Sequence, residues 1–282
     1  MTLRNPLAAA LATTLSLAAM PALAQDAGTG DWSGFYVGGS IGANVPSDQT
    51  DRGVEFDTNL DGGYGDTVRT GTGADAFSPG FCGGRATSAR PTTGCQDDSG
   101  GDEWGARVGY DWQSGNLVFG GLVEYTANDA RDAQSFFSTT PAFYEFTRDL
   151  DEMLAIRGRV GYAFGETGDW LGYVTAGYAQ GKVDQSFRTS NTANSFTLRG
   201  DDKADGYQAG IGIERRVLDN LSLGLEYVFT RLDTDDSALR VGPGTAPASN
   251  PFRLVNANGT DARRTDTDFD INTVKLTAAW RF

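Results

Sequence analysis

Histidine is absent from all 282 residues of the chain. This removes the one side chain that titrates near neutral pH in its unperturbed state, and with it a Ser-His-Asp triad and a histidine general base. What remains able to do chemistry is a pair of cysteines, one aspartate-rich hexapeptide and a set of charged residues spaced by two. Cys82 and Cys95 are the only cysteines. In a secreted chain the default reading is a disulfide, closing a loop of about 14 residues and stabilising the region by roughly 3 kcal/mol. A zinc centre would need two more soft ligands. Asp57-Thr58-Asn59-Leu60-Asp61-Gly62 matches the opening of a calcium loop, which makes Asp57, Asn59 and Asp61 candidate calcium ligands. Position twelve of that loop holds Val68 instead of the bidentate glutamate, and Asp66 would serve only with a different geometry. The competing reading is a solvated Asp/Gly loop. No other cofactor is expected.

The third group is Arg107, Arg157, Arg159, Lys275 and Arg281 with Glu124, Glu214 and Glu226. Each lies on the small or polar side of a segment in which apolar and polar residues alternate. If that side lines a narrow, poorly solvated interior, the charges must pair, because an uncompensated buried charge is costly. The network then fills the interior. The alternative is a water-filled path lined by the same charges, a small-solute, porin-like channel.

Eight segments show this period-two alternation, bounded by turn residues. They are residues 33–44, 103–113, 117–126, 153–164, 170–181, 206–217, 221–231 and 271–282. In 103–113, Trp104, Ala106, Val108, Tyr110 and Trp112 oppose Arg107, Gly109 and Asp111; in the last, Val274, Leu276, Ala278, Trp280 and Phe282 oppose Thr273, Lys275, Thr277 and Arg281. The facing of 170–181 is ambiguous, since both sets are mixed. A few residues join strands two and three, four and five, and six and seven. The remaining connections are long: 45–102, 127–152, 182–205 and 232–270. Eight strands have an interior only just wide enough for side chains, so apolar faces rich in Trp, Tyr and Phe fit poorly inside and well outside. The expected fold is all-β: an eight-stranded antiparallel transmembrane β-barrel with short periplasmic turns and four long extracellular loops. Aromatics near the strand ends suit interfacial girdles.

The first 24 residues read as a signal peptide: Arg4, an Ala/Leu-rich stretch over 7–19, and Ala22-Leu23-Ala24 as cleavage signal. The barrel domain is then 25–282, with 45–102 as a long first extracellular loop of 58 residues. Loss of Arg4 moves the formal charge from −14 to −15, which argues against nucleic acid as a partner.

The stretch Trp32-Ser33-Gly34-Phe35-Tyr36-Val37-Gly38-Gly39 resembles the first strand of the opacity-type, OmpA-like outer-membrane barrels of Gram-negative bacteria. Arg157-Gly158-Arg159-Val160-Gly161-Tyr162, Gly210-Ile211-Gly212-Ile213-Glu214, Leu225-Glu226-Tyr227 and the terminal Ala279-Trp280-Arg281-Phe282 are similar too. The resemblance covers the strands and not the loops. It implies residence in the cell outer membrane, contact with outer-membrane lipid and lipopolysaccharide, and insertion by the outer-membrane assembly machinery, with Trp280 and Phe282 as the assembly signal. The expected role is a structural, surface-exposed protein that contributes to envelope integrity and offers its loops for surface interaction; with no histidine and no local catalytic motif, no enzyme is expected. The long first loop departs from the family pattern and leaves the extracellular partner unnamed.

Overall fold

The computed structural model describes residues 30–46, 53–91, 95–96, 98, 100–234 and 237–282; the expected signal peptide, 1–24, lies outside them. In chain order the strands are β1 (Gly34–Pro46), β2 (Val54–Asp57), β3 (Gly80–Gly83), β4 (Arg85–Ala86), β5 (Cys95–Gln96), β6 (Asp102–Ser114), β7 (Leu117–Ser138) and β8 (Ala142–Phe164). They continue with β9 (Trp170–Thr189), β10 (Ser195–Arg199), β11 (Lys203–Leu218), β12 (Leu221–Asp233), β13 (Ala238–Gly242), β14 (Thr260–Arg264) and β15 (Asp268–Arg281). Among the described residues no helix is long and apolar enough to cross a membrane.

Eight of these strands close a ring in the order β1-β6-β7-β8-β9-β11-β12-β15, with β15 pairing back to β1, and every pairing is antiparallel. They are the eight segments expected from alternation. Following partners around the ring from Tyr36 through Gly109, Leu122, Arg157, Gly177, Gln208, Thr230 and Ile271 returns to Pro46, ten residues further along the starting strand. A stagger of ten over eight strands tilts them by about 35–45° and sets a narrow bore. The stagger is even, so one side chain parity stays inside all the way round.

The outward set is the apolar one. Ile41, Trp104, Ile156, Ile211 and Leu276 are among the exposed large hydrophobics, as a lipid-facing wall requires. The facing of β9, ambiguous in the sequence, is settled: Leu171, Tyr173 and Ala179 are buried, while Val174 and Tyr178 are exposed. Aromatic residues collect at both rims. Tyr125, Tyr178 and Tyr227 donate their hydroxyls to Glu152, Asp205 and Asn272 near the extracellular edge. Phe35 and Phe282 rings lie 6.0 Å apart at the periplasmic edge.

The extracellular connections differ from open loops. Residues 127–152 are mostly strand: β7 and β8 run on as one hairpin, pairing as far as Ser138 and Ala142. At 22, 23 and 20 residues, β7, β8 and β9 far exceed the 9–11 needed to span a bilayer. Register shifts between Ala127 and Ala130, and between Leu150 and Glu152, mark where they leave the barrel. Such irregularities bend a strand and re-aim its side chains. Above that level, β10, β13, β14 and β2 form a second antiparallel sheet drawn from the third, fourth and first connections. This sheet and the extended strands bury an aromatic core that includes Phe56, Phe77, Phe136, Tyr144, Phe146 and Phe252. Ordering long connections costs conformational entropy, and burying these rings offsets it.

Candidate functional site

The lumen is filled in layers. At the periplasmic end Trp32, fully buried, groups with Val118, Ala163, Leu171 and Tyr173. Above it lies a four-charge layer. Arg159 Nε donates to Asp111 Oδ1 at 2.8 Å and its Nη1 to Glu214 Oε1 at 2.7 Å, while Arg281 Nη1 sits 2.9 Å from Asp111. Arg159 also lies over the rings of Tyr36 and Tyr173, 4.9 and 5.1 Å from their centroids, a geometry in which a guanidinium gains from the ring quadrupole.

The next layer holds six charges. Arg107 Nε donates to Glu124 Oε1 at 3.0 Å, and its Nη1 reaches Glu226 Oε2 at 3.2 Å. Arg157 bridges the same two acids, at 2.6 Å to Glu124 and 2.9 Å to Glu226. Lys275 Nζ lies 2.6 Å from Glu103 and 3.2 Å from Glu124. Tyr173 Oη donates to Glu226 Oε2 at 2.6 Å and Ser40 Oγ to Glu124 Oε1 at 3.1 Å. In each layer the formal charges cancel: three cations against three acids above, two against two below. Further out, an apolar cluster that includes Leu150, Met153, Val183, Leu232, Phe269 and Ile271 is buried among β7, β8, β9, β11, β12 and β15. Arg148 and Arg264, both paired to Asp132, lie above it.

The structure brings all eight sequence-selected charges, Arg107, Glu124, Arg157, Arg159, Glu214, Glu226, Lys275 and Arg281, into these two layers. Alternation placed them, because inward residues on one strand share a parity. Asp111, already on the inward face of its segment, and Glu103, which has the same parity as Arg107, belong with them, so the same rule reaches both. Tyr173 comes from the strand of ambiguous facing. Trp32, read in the sequence as part of a family motif, is fully buried at the periplasmic end. Two glycines make room: a Cβ on Gly109 would lie 2.4 Å from Tyr36 Cζ, and one on Gly212 2.3 Å from Tyr173 Cζ.

Cys82 and Cys95 are joined in a disulfide, with Cα atoms 6.1 Å apart. It ties β3, which pairs with the free edge of β7, to the β4–β5 hairpin. That hairpin covers the outer side of the extended β7–β8 strands. Ser135 Oγ donates to Gly84 O at 2.8 Å, and Glu145, buried, accepts from Ala86 N at 2.8 Å and from Arg188 Nη2 at 2.6 Å. Asp57, Asn59 and Asp61 sit in a turn whose carboxylates are occupied by the chain itself. Asp57 accepts from the backbone of Leu60 at 2.7 Å and Gly62 at 2.8 Å; Asp61 accepts from Gly63 N at 2.8 Å and Asn59 Nδ2 at 3.0 Å. Among the described residues no group of three or more His, Cys, Asp or Glu side chains is gathered to hold a metal ion. On the outer face of the second sheet, burial pushes the Asp261 carboxyl up, but Arg240 and Arg199, donating at 2.8 and 2.9 Å, outweigh it and hold it below its ordinary value. Trp280 and Phe282 point outward at the periplasmic edge, the latter 73% exposed.

The family model for the outer membrane protein beta-barrel domain matches residues 9–282. The 31 kDa outer-membrane immunogenic protein of Brucella melitensis biotype 1 is 28% identical over 148 residues, 50% of this chain and 60% of that protein. The 22 kDa outer membrane protein of Rhizobium leguminosarum bv. viciae is 32% identical over 135 residues, 48% of this chain and 54% of that one. The match therefore spans between half and two thirds of each relative's length. Among solved structures, the outer membrane protein OprG from Pseudomonas aeruginosa aligns over 89% of this chain and 97% of its own, at 12% identity and a TM-score of 0.44.

Proposed function

This chain is a member of the outer membrane protein β-barrel domain family, and on that premise we propose that it is a structural, non-conducting barrel that displays a folded cap at the cell surface. The observation that carries this reading is the charge-balanced packing of the lumen: ten ionised side chains in two neutral layers, each contacting an opposite charge. A conducting pore of this bore would need those side chains to face water and not one another. The apolar cluster above and the buried Trp32 below support the same reading.

The barrel's lipid-facing belt takes outer-membrane lipid and lipopolysaccharide as its neighbours. Trp280 and Phe282 serve as the signal for the outer-membrane assembly machinery. The cap, with its own aromatic core and disulfide, is the surface offered to other cells or ligands. The proposed role is non-enzymatic, in keeping with a chain that lacks histidine, the usual acid–base side chain. Planar-bilayer recording of purified, heat-modifiable protein tests the reading: no steady unitary conductance is expected. Reproducible unitary steps would replace it with the small-solute channel.

A further inference from the structure

Trp32 precedes the first barrel strand, yet its contacts reach the far side of the ring. Its indole Nε1 donates to Gly168 O, in the β8–β9 turn, at 2.9 Å. Its backbone N donates to Gln113 Oε1, at the foot of β6, at 2.6 Å. Its carbonyl accepts from Arg281 Nη1 on the last strand. The ring lies under two guanidinium groups, Arg216 of β11 at 4.9 Å and Arg281 at 5.5 Å. Its neighbours continue the pattern: Ser33 Oγ accepts from Gln113 N at 3.0 Å, and Asp31 O accepts from Arg216 Nη2.

β1 and β15 are the first and last strands of the ring in sequence order, so the β1–β15 pairing is the one that closes the barrel. Its register runs down to Tyr36 opposite Arg281, followed by a final bond from Phe282 N to Phe35 O at 2.9 Å. The pairing where two strands end together is the weak point of a closed sheet, because strand ends open most easily. Here the segment just upstream of β1 crosses the mouth, holds the last strand through Arg281, and is itself held by a turn on the opposite wall. A bulky indole with its N–H satisfied fills the opening.

We propose that residues 30–33, with Trp32 as the bolt, form a latch that locks the β1–β15 seam and seals the periplasmic mouth of the barrel. Arg281 and Arg216 are its positioning residues. The latch engages only after β15 has paired with β1, since Arg281 is on the last strand; it marks the completed barrel.

The test uses the full mature chain folded into lipid bilayers, with residue-resolved amide hydrogen exchange as the readout. Trp32→Ala is compared with Trp32→Phe and with Leu171→Ala, which empties part of the same apolar cluster without touching the seam. In Trp32→Ala the amides of Phe35, Tyr36, Trp280, Arg281 and Phe282 should exchange at least about tenfold faster, while mid-barrel amides of β8 and β9 keep their protection. Trp32→Phe keeps the ring and loses the Gly168 bond; acceleration should centre on the β8–β9 turn. Leu171→Ala should lower protection without singling out the seam. An unchanged seam in Trp32→Ala, or uniform acceleration around the ring, overturns the latch. If Trp32→Ala does not reach the heat-modifiable form, Arg216→Gln takes its place with the same seam readout and the same overturning results.

Discussion

Arg107 on β6 and Glu124 on β7 are direct cross-strand partners, and their side chains meet inside the barrel with Nη2 2.5 Å from Oε1. Glu124 also holds Arg157 and Lys275, so one carboxylate joins three cations from three strands.

Converting Glu124 or Glu226 to glutamine leaves two or more buried cations under-compensated. The expected loss is about 3–5 kcal/mol, the cost of breaking a buried pair from one side. Glu166→Gln, in an exposed periplasmic turn, should change stability by less than about 0.5 kcal/mol. Urea unfolding of lipid-reconstituted protein gives the comparison. Equal midpoints for all three variants would contradict the pairing.

Gly109 and Gly212 should resist substitution because each leaves space for a tyrosine ring that crosses the lumen. Gly109→Ala and Gly212→Ala should each cost about 1–3 kcal/mol through overpacking. Gly121→Ala is the control, its nearest atom being 3.9 Å from the added Cβ. Pairing Gly109→Ala with Tyr36→Leu should recover part of the loss, and strict additivity in that double-mutant cycle would argue against the contact.

The Cys82–Cys95 bond should protect the cap and not the barrel. On intact cells a membrane-impermeant thiol reagent should label neither cysteine until reductant is added. The double serine variant should lose roughly 3 kcal/mol of local stability for a loop of this size, read as faster protease cleavage near Arg85 and Arg90 with the barrel's heat-modifiable gel shift intact. Labelling of both thiols without reduction would disprove the bond at the surface.

Acid should loosen the second extracellular sheet through Asp261. Its folded carboxyl lies below the ordinary value of 3.8, so ionised Asp261 stabilises the fold above the unfolded value. That contribution disappears as pH falls through the folded one. Amide protection of β13 and β14 should therefore decline below about pH 4. The variant Asp261→Asn should be weaker at neutral pH and show a flatter decline. Identical acid profiles for the two proteins would remove Asp261 from the account.

The sequence by itself determined the barrel: the number of strands, their order of short and long connections, and which charges face inward. It could do so because a strand's side chains alternate by covalent geometry alone, whatever the strand pairs with. Arg107, Glu124, Arg157, Arg159, Glu214, Glu226, Lys275 and Arg281 were legible on that basis. Only the tertiary structure decided what depends on register between distant segments. It set which cation meets which acid, since Arg107 and Arg157 reach the same two glutamates only once the ten-residue stagger is closed. It oriented β9, whose Leu171 and Tyr173 face inward because the lumen needs an apolar foot and a hydroxyl for Glu226. It turned the extracellular connections into a second packed sheet, because their aromatics, scattered from Phe56 to Phe252, become a core only when chain segments nearly 200 residues apart are brought together. And it carried Trp32 from just ahead of β1 across to the β8–β9 turn and the last strand, a place that exists only after the last strand has joined the first.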